Sequence, residues 1–229
     1  MKKANCSFIA FITGILLTGC SCTKENLEIK GKVLDEHTKV AIPNRAIIVQ
    51  ALVKSDNKVI PVYNGEFSSD SSGFFTYPLR KIKDVYSYNF CVIGDSAYAY
   101  SNTELDLTEL KRYGKFLRFD LNKLTDITIT INSKSSIPID DEVLYLSWKS
   151  DGVDGKILYP YTLKNHAFTP SNLALKWIGG DIKSEIKTKV FSDKETIVRW
   201  EIYRNGKMKV VTDTIFCMRD VANYVRFEY

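Results

Sequence analysis

Histidine is scarce in this chain, with two in 229 residues. His37 and His166 lie far apart, and each sits among loop-forming residues. No Cys-x-x-Cys, His-Glu-x-x-His, Gly-x-Ser-x-Gly elbow or phosphate-binding loop occurs, so the spacings that hold a metal, an acyl-transfer nucleophile or a nucleotide are missing. Long apolar runs are missing too. The run from Phe8 to Leu17 falls well short of the roughly 20 residues a membrane-spanning helix needs. Excess charge of one sign is absent: the formal net charge is +5, and nothing in its distribution suggests nucleic acid as a partner. These lacks leave no reaction and no cofactor legible, and the expectation is a protein that is not an enzyme.

What is present begins at the N-terminus. Lys2 and Lys3 precede the short apolar run, and the small residues Thr18 and Gly19 lead into Cys20. That order is a secretory signal's. An ordinary signal peptide cut near Gly19 would leave Cys20 a plain cysteine. Leu17-Thr18-Gly19-Cys20, however, resembles the lipobox of bacterial lipoproteins. The resemblance implies a signal peptide over residues 1–19, cleavage before Cys20, and acylation of that cysteine with palmitate-type chains. Each buried methylene contributes about 0.8 kcal/mol and one chain anchors only reversibly, which is why two or more are used. Ser21 after the cysteine fits the outer-membrane choice of that family, facing the periplasm or the cell surface, and residues 20–26 read as a polar tether.

Removal of residues 1–19 takes Lys2 and Lys3 and lowers the net charge from +5 to about +3, leaving 210 residues. That is enough for one large all-β domain or two of about a hundred residues. At 45% hydrophobic and 26% charged, the composition is globular. Of five cysteines, Cys6 lies in the signal and Cys20 is the lipid site. Cys22, Cys91 and Cys217 remain, an odd number that permits at most one disulfide. Cys91 and Cys217 sit in apolar runs and read as buried free thiols.

The expected architecture is two β-sandwiches in tandem, at 27–121 and 122–229. Glu28 to Val33 alternates polar and apolar residues and Ala46 to Val53 is a branched apolar run, both strand signals. Gly31-Lys32-Val33-Leu34-Asp35, then Ala41 to Val49 with Pro43 and Asn44, then Asp70-Ser71-Ser72-Gly73-Phe74-Phe75, resemble the carboxypeptidase-regulatory-like modules of bacterial surface proteins. The resemblance implies a transthyretin-like, or prealbumin-like, sandwich with no catalysis of its own. Lys39 and Asn44 stand where that family commonly has glycines. Phe74 to Leu79, Val85 to Ile93 and Phe116 to Leu121 read as further strands, and Leu105 to Tyr113 as one short helix that Thr103 or Asp106 caps and Gly114 ends. Tyr98 and Tyr100, in the interval from Gly94 to Asn102, read as packing against the sandwich or as a ligand platform.

In the second unit, Thr128 to Asn132, Val143 to Trp148, Thr196 to Tyr203, Lys207 to Phe216 and Asn223 to Tyr229 read as strands of an Ig-like sandwich. For the hairpin at Asn205-Gly206, the apolar pattern favours a three-residue loop. It pairs Tyr203 with Lys207 and sets Ile202, Trp200 and Val198 opposite Met208, Val210 and Thr212 on one face.

Two groups of residues are candidate sites. Asp140 and Asp141, with Asp151 and Asp154, would supply hard oxygen ligands to calcium if their loops met at one end of the sandwich, but their spacing is not that of a known calcium loop and plain solvated turns account for them better. Tyr159, Tyr161, Phe168 and Trp177 would make a glycan-stacking face if exposed, whereas Pro160 and Pro170 bracket a segment that needs apolar residues simply to stay attached. The expected role is a non-catalytic binding or structural module on the membrane, with a protein or glycan partner. A surface polymer that uses the terminal strand is the alternative.

Overall fold

The computed structural model describes residues 27–55, 58–112, 116–134, 142–164, 174–179 and 181–228. The signal, Cys20, Cys22, Asp140, Asp141, His166 and Phe168 lie outside them. The chain divides into two compact units between Lys123 and Leu124. Both are built almost wholly of strands, and no helix among the described residues is long and apolar enough to cross a membrane.

The first unit contains β1 (Leu27–Asp35), β2 (Ala46–Ser55), β3 (Lys58–Ser68), β4 (Phe74–Leu79), β5 (Val85–Val92), β6 (Ser101–Asp106), the helix α1 (Leu107–Arg112) and β7 (Phe116–Leu121). One sheet has the order β4-β1-β7 and the other β3-β2-β5-β6. Between them lie Ile29, Val33, Ile47, Val49, Phe75, Tyr88, Phe90, Phe119 and Leu121, all buried. The alternation of β1, β2 and β7 places every second residue on that inner face. Phe119 stacks on Phe75 with centroids 5.5 Å apart and lies 5.9 Å from Phe90 of the opposite sheet, so the two sheets are fastened by rings.

The turn motifs hold this sandwich at one end. Asp35, itself buried, closes its loop by accepting hydrogen bonds on Oδ1 from the N–H groups of His37 (3.0 Å) and Thr38 (2.8 Å). Its Oδ2 accepts from the Tyr98 hydroxyl at 3.2 Å. Tyr98 is thereby packed into the unit while Tyr100 is exposed. Asp70 does the same for its turn, accepting from Ser72 N–H (2.8 Å), Ser72 Oγ (2.7 Å) and Phe74 N–H (2.9 Å). The Ser72 hydroxyl first, and those N–H groups, hold the Asp70 carboxyl below its ordinary pKa against the opposing pull of desolvation. Lys39 and Asn44 both adopt left-handed backbone, with φ 59° and 55°. These non-glycine residues keep a conformation that glycine would reach without strain.

The helix is shorter than its apolar spacing suggests, because Leu105 and Asp106 are the last pairs of β6 with β5. Asp106 caps it: its Oδ1 accepts from Glu109 N–H (2.7 Å) while Glu109 Oε2 accepts from Asp106 N–H (3.0 Å), a reciprocal capping box.

The second unit contains β8 (Leu124–Ser133), β9 (Glu142–Ser150), β10 (Val153–Asp154), the single-turn α2 (Gly155–Leu158), β11 (Thr162–Lys164), β12 (Leu175–Ile178), β13 (Ile182–Phe191), β14 (Lys194–Arg204), β15 (Lys207–Cys217) and β16 (Asn223–Glu228). One sheet runs β11-β13-β8-β16; in the other, β9 is flanked by β14 and then β15 on one side and by β10 and β12 on the other. Trp148, Trp177, Trp200, Ile129, Ile186 and Val198 fill the space between. The two units share one connectivity. In each, the first strand pairs antiparallel with a later one and parallel with the last (β1 with β4 and β7, β8 with β13 and β16). In each, the second strand neighbours a strand that carries the next one at its far edge (β2-β5-β6, β9-β14-β15). Cys91 and Cys217 are buried and not joined in a disulfide. Burial pushes the Cys217 thiol pKa up, while a hydrogen bond with Thr196 opposes the rise.

The hairpin between β14 and β15 corrects the expected register. Arg204 pairs with Lys207, and Ile202 with Lys209. Asn205 and Gly206 are both left-handed, φ 50° and 70°, as a two-residue type I′ turn requires. The apolar pattern misleads because, among the described residues, β15 pairs only with β14 and is exposed along most of its length. Val211, Ile215 and Cys217 of its inner face meet the core, while Lys207, Lys209 and Asp213 on the same side are exposed, so the turn chemistry decides.

Candidate binding surface

The acidic candidates within the described residues perform structural work. Asp151 and Gly152, at φ 47° and 80°, form the tight turn that pairs Ser150 with Val153, and Asp151 faces Lys194 at 3.3 Å. Asp154 caps α2, its Oδ1 accepting from Lys156 N–H at 2.9 Å. Among the described residues no group of three or more His, Cys, Asp or Glu is placed to hold a metal ion.

The aromatic candidates are not assembled into one face. Trp177 is 1% exposed and belongs to the core, which removes it from any stacking platform. Its strand β12 alternates, and the indole falls on the inner side while Lys176 and Ile178 point outward. Tyr161 is half-buried, edge-on to Trp148 at 5.8 Å, and burial raises its hydroxyl pKa. Tyr159 is half-buried with the Lys189 ammonium 5.9 Å from its ring.

Two other surfaces stand out in the second unit. On the outer face of β13, β8 and β16, an open groove of about 610 Å³ is lined by Thr130, Asn132, Lys183, Glu185 and Arg226. Lys183 and Glu185 of β13 and Arg226 of β16 mix both signs around the neutral Thr130 and Asn132 of β8, the pattern of a solvated sheet face.

The outer face of the other sheet is different. The registers place Ile178 beside Val143, Val143 beside Tyr203 and Tyr203 beside Met208, an apolar row across four strands. The next row is Lys176, Tyr145, Glu201 and Val210. Ile178 (53%), Tyr203 (38%), Met208 (56%) and Val210 (41%) are exposed. Tyr145 meets Tyr203 edge-on at 5.6 Å, and the Lys176 ammonium lies 5.8 Å from the Tyr145 ring. Further along the strands the face turns polar, with Arg199 paired to Glu201 at 2.9 Å. Beneath the row, the buried Glu142 carboxylate accepts from Arg204 Nη2 (2.7 Å) and Nε (3.0 Å), fixing the ends of β9 and β14 together. This surface follows directly from the hairpin correction. A one-residue slip exchanges the two faces of a strand, and the expected register would have placed Met208 and Val210 inside with Trp200.

No protein-family model matches the chain, and no curated protein matches it. Among solved structures, a candidate adhesin from Bacteroides ovatus superposes over 93% of this chain and 98% of its own, at 10% identity and a TM-score of 0.33. The major pilin SpaD of Corynebacterium diphtheriae covers 83% of this chain and 64% of its own, at 7% identity and a TM-score of 0.36. The shaft pilin SpaA of Lactobacillus rhamnosus GG covers 90% and 98%, at 8% identity and a TM-score of 0.31. At these scores the likeness is one of strand-rich architecture and carries no inference about role.

Proposed function

We propose that this protein is a lipid-anchored, non-catalytic module of a bacterial outer membrane, attached through Cys20, that binds a protein partner through the outer face of β12, β9, β14 and β15. In this reading residues 20–26 are the tether, and the first sandwich, at 27–121, is a structural spacer of carboxypeptidase-regulatory-like type. The second sandwich, at 122–229, presents the binding surface. The observation that carries the binding role is the row Ile178, Val143, Tyr203 and Met208, exposed at every member but Val143. A contiguous apolar patch with a polar rim marks an interaction surface on a folded protein, and tyrosine and methionine are enriched at such surfaces. A glycan reading is weaker, because Trp177 is in the core and the tyrosines 159 and 161 are each occupied by packing.

Pull-down from membranes tests this with three forms of the protein: native, Cys20→Ala, and Tyr203→Ala with Met208→Asp. Loss of partner capture in the double variant, with an unchanged far-UV spectrum, is the expected result. Equal capture by native and double-variant protein overturns the role of the face. Metabolic labelling with an alkyne fatty acid reads the anchor separately, and a label that survives in Cys20→Ala excludes it.

A further inference from the structure

We infer that the end of the first unit at which the chain enters, at Leu27, is a lipid-contact surface, and that the tip of its β2–β3 hairpin enters the headgroup region of an anionic bilayer. Three contacts gather that end. Leu27 pairs with Leu79, the last residue of β4. The Arg80 carbonyl that follows accepts from Asn64 Nδ2 and from the Tyr88 hydroxyl, each at 2.9 Å. Lys54 N–H donates to the Asp84 carbonyl at 3.5 Å. The start of β1, the loop 80–84 and the hairpin whose last described pair is Ser55 with Lys58 therefore lie together. On the tip side of Asn64, the extra residue of the bulge opposite Val49 and Gln50, β3 is exposed at every residue from Lys58 to Tyr63. Four of these are large and apolar: Val59, Ile60, Val62 and Tyr63.

Alternation puts Val59 and Tyr63 on one side of the strand and Ile60 and Val62 on the other. A docking protein covers one face of a strand, whereas apolar groups exposed on both faces suit a medium that surrounds the tip. Pairing of β3 with a further strand is opposed by Pro61, which has no N–H to give. The charges name the medium. Residues 54–63 and 80–84 carry Lys54, Lys58, Arg80, Lys81 and Lys83 against Asp56 and Asp84, and all five basic side chains are exposed. Glu28, beside Leu27, is neutralised by Lys30 at 2.7 Å. The loops of the opposite end, joined by the contacts of Asn44 with Asp70, Arg45 with Asp95 and Asp35 with Tyr98, have the reverse balance. There Asp35, Glu36, Asp70 and Asp95 stand against Lys39 and Arg45. A unit so polarised turns its basic end toward an anionic surface. Each lysine or arginine adds attraction there, and the long side chains keep their charge among the headgroups while the apolar tip reaches the acyl boundary. Which surface is met rests on the reading of Cys20 as the lipid site. Seven residue steps separate Cys20 from Leu27 and span at most about 25 Å, so an acylated Cys20 keeps this end beside the bilayer.

Co-sedimentation of the mature chain, residues 20–229 with Cys20→Ala, with lipid vesicles tests this surface without the acyl chain. The protein is expected to bind vesicles of phosphatidylglycerol mixed with phosphatidylcholine, not those of phosphatidylcholine alone, and to be released by salt. Lys58→Glu with Lys83→Glu weakens binding by at least about tenfold, and Ile60→Ser with Val62→Ser weakens it as well. Tyr63→Trp sets a reporter at the tip whose emission moves to shorter wavelength with the mixed vesicles. Tyr224→Trp, at an exposed position of the second unit, shows no such shift. That comparison needs no charge reversal, so misfolding of the glutamate variant does not decide it. Absence of binding to the mixed vesicles at low salt, equal binding to both vesicle types, binding indifferent to the charge reversals, or a shift with Tyr224→Trp and none with Tyr63→Trp overturns the proposal. The fatty-acid label reads the anchor on its own, so failure of the anchor and failure of this surface are distinguishable.

Discussion

The rings of Trp200 and Phe227 stack at 4.5 Å between centroids with 19° between their planes. One belongs to β14 and the other to β16, so the last strand is fastened both to β8, by its parallel ladder, and to the opposite sheet, by this stack. Donating β16 to a neighbouring molecule would withdraw Val225 and Phe227 from the core. Phe227→Ala is accordingly expected to destabilise the second unit by about 3–5 kcal/mol, and Phe227→Leu by clearly less. Urea unfolding followed by tryptophan fluorescence measures both. A loss below about 1 kcal/mol for the alanine variant would mean that β16 is dispensable to the sandwich.

Lys39 and Asn44 hold left-handed backbone at φ 59° and 55°. A β-carbon makes that region cost about 1–2 kcal/mol, while glycine adds about 0.4–1 kcal/mol of unfolded-state entropy. Lys39→Gly is expected to raise the melting temperature of the first unit, by about 0.5–1 kcal/mol of stability. Its exposed contact with Asp120, at 3.7 Å, contributes little. Asn44→Gly should gain less, since asparagine tolerates the conformation, and Asn44→Ala should lose.

The hydroxyl of Tyr77 donates to the main-chain oxygen of Asn64 at 3.0 Å, over the bulge where β2 and β3 shift register between Val49 and Gln50. A β-carbon at Gly65 would come 2.1 Å from that hydroxyl oxygen. Gly65→Ala should destabilise by about 1–3 kcal/mol through overpacking. Tyr77→Phe, which removes the oxygen, should recover part of the loss in the double variant, so that the two effects are non-additive. Additive losses in thermal unfolding would show that the close approach is not the cause.

Burial alone would raise the Asp95 carboxyl pKa. The N–H groups of Ala97 and Tyr98 and the Arg45 guanidinium, 2.6 Å away, outweigh it and hold the pKa below the ordinary aspartate value. A carboxylate whose pKa is depressed on folding stabilises the fold fully above its unfolded pKa, and that stability is lost as pH falls through the folded value. The first unit is thus expected to lose stability as pH drops from about 4 downward. Asp95→Asn should be less stable at neutral pH and show a flatter acid limb. Guanidinium titrations at several pH values measure the difference, and parallel acid limbs for the two proteins would remove Asp95 from the account.

Much of the architecture is local and so was legible in the chain. Alternation in β1, β8 and β16 and the branched run of β2 mark strands because the side-chain period is two wherever one face is buried. The Asp35 and Asp70 loops were legible for the same reason, since a short carboxylate closes its own turn within a few residues. Trp177 was not, because a ring in a four-residue strand has no sequence pattern that says which side is core.

The exposed rows were hidden more deeply. Tyr203 and Met208 are adjacent only in the two-residue register, and Ile178 reaches Val143 only through β12, a strand too short to declare itself. By itself the sequence determined strands, turns and the expectation of an N-terminal sorting signal, all set by neighbours along the chain. The tertiary structure decided the register of β15, the shared connectivity of the two sandwiches, and which side chains are left on the open face. Those depend on which strands meet, and at β15, which among the described residues pairs with one strand, the turn geometry outweighs the apolar pattern.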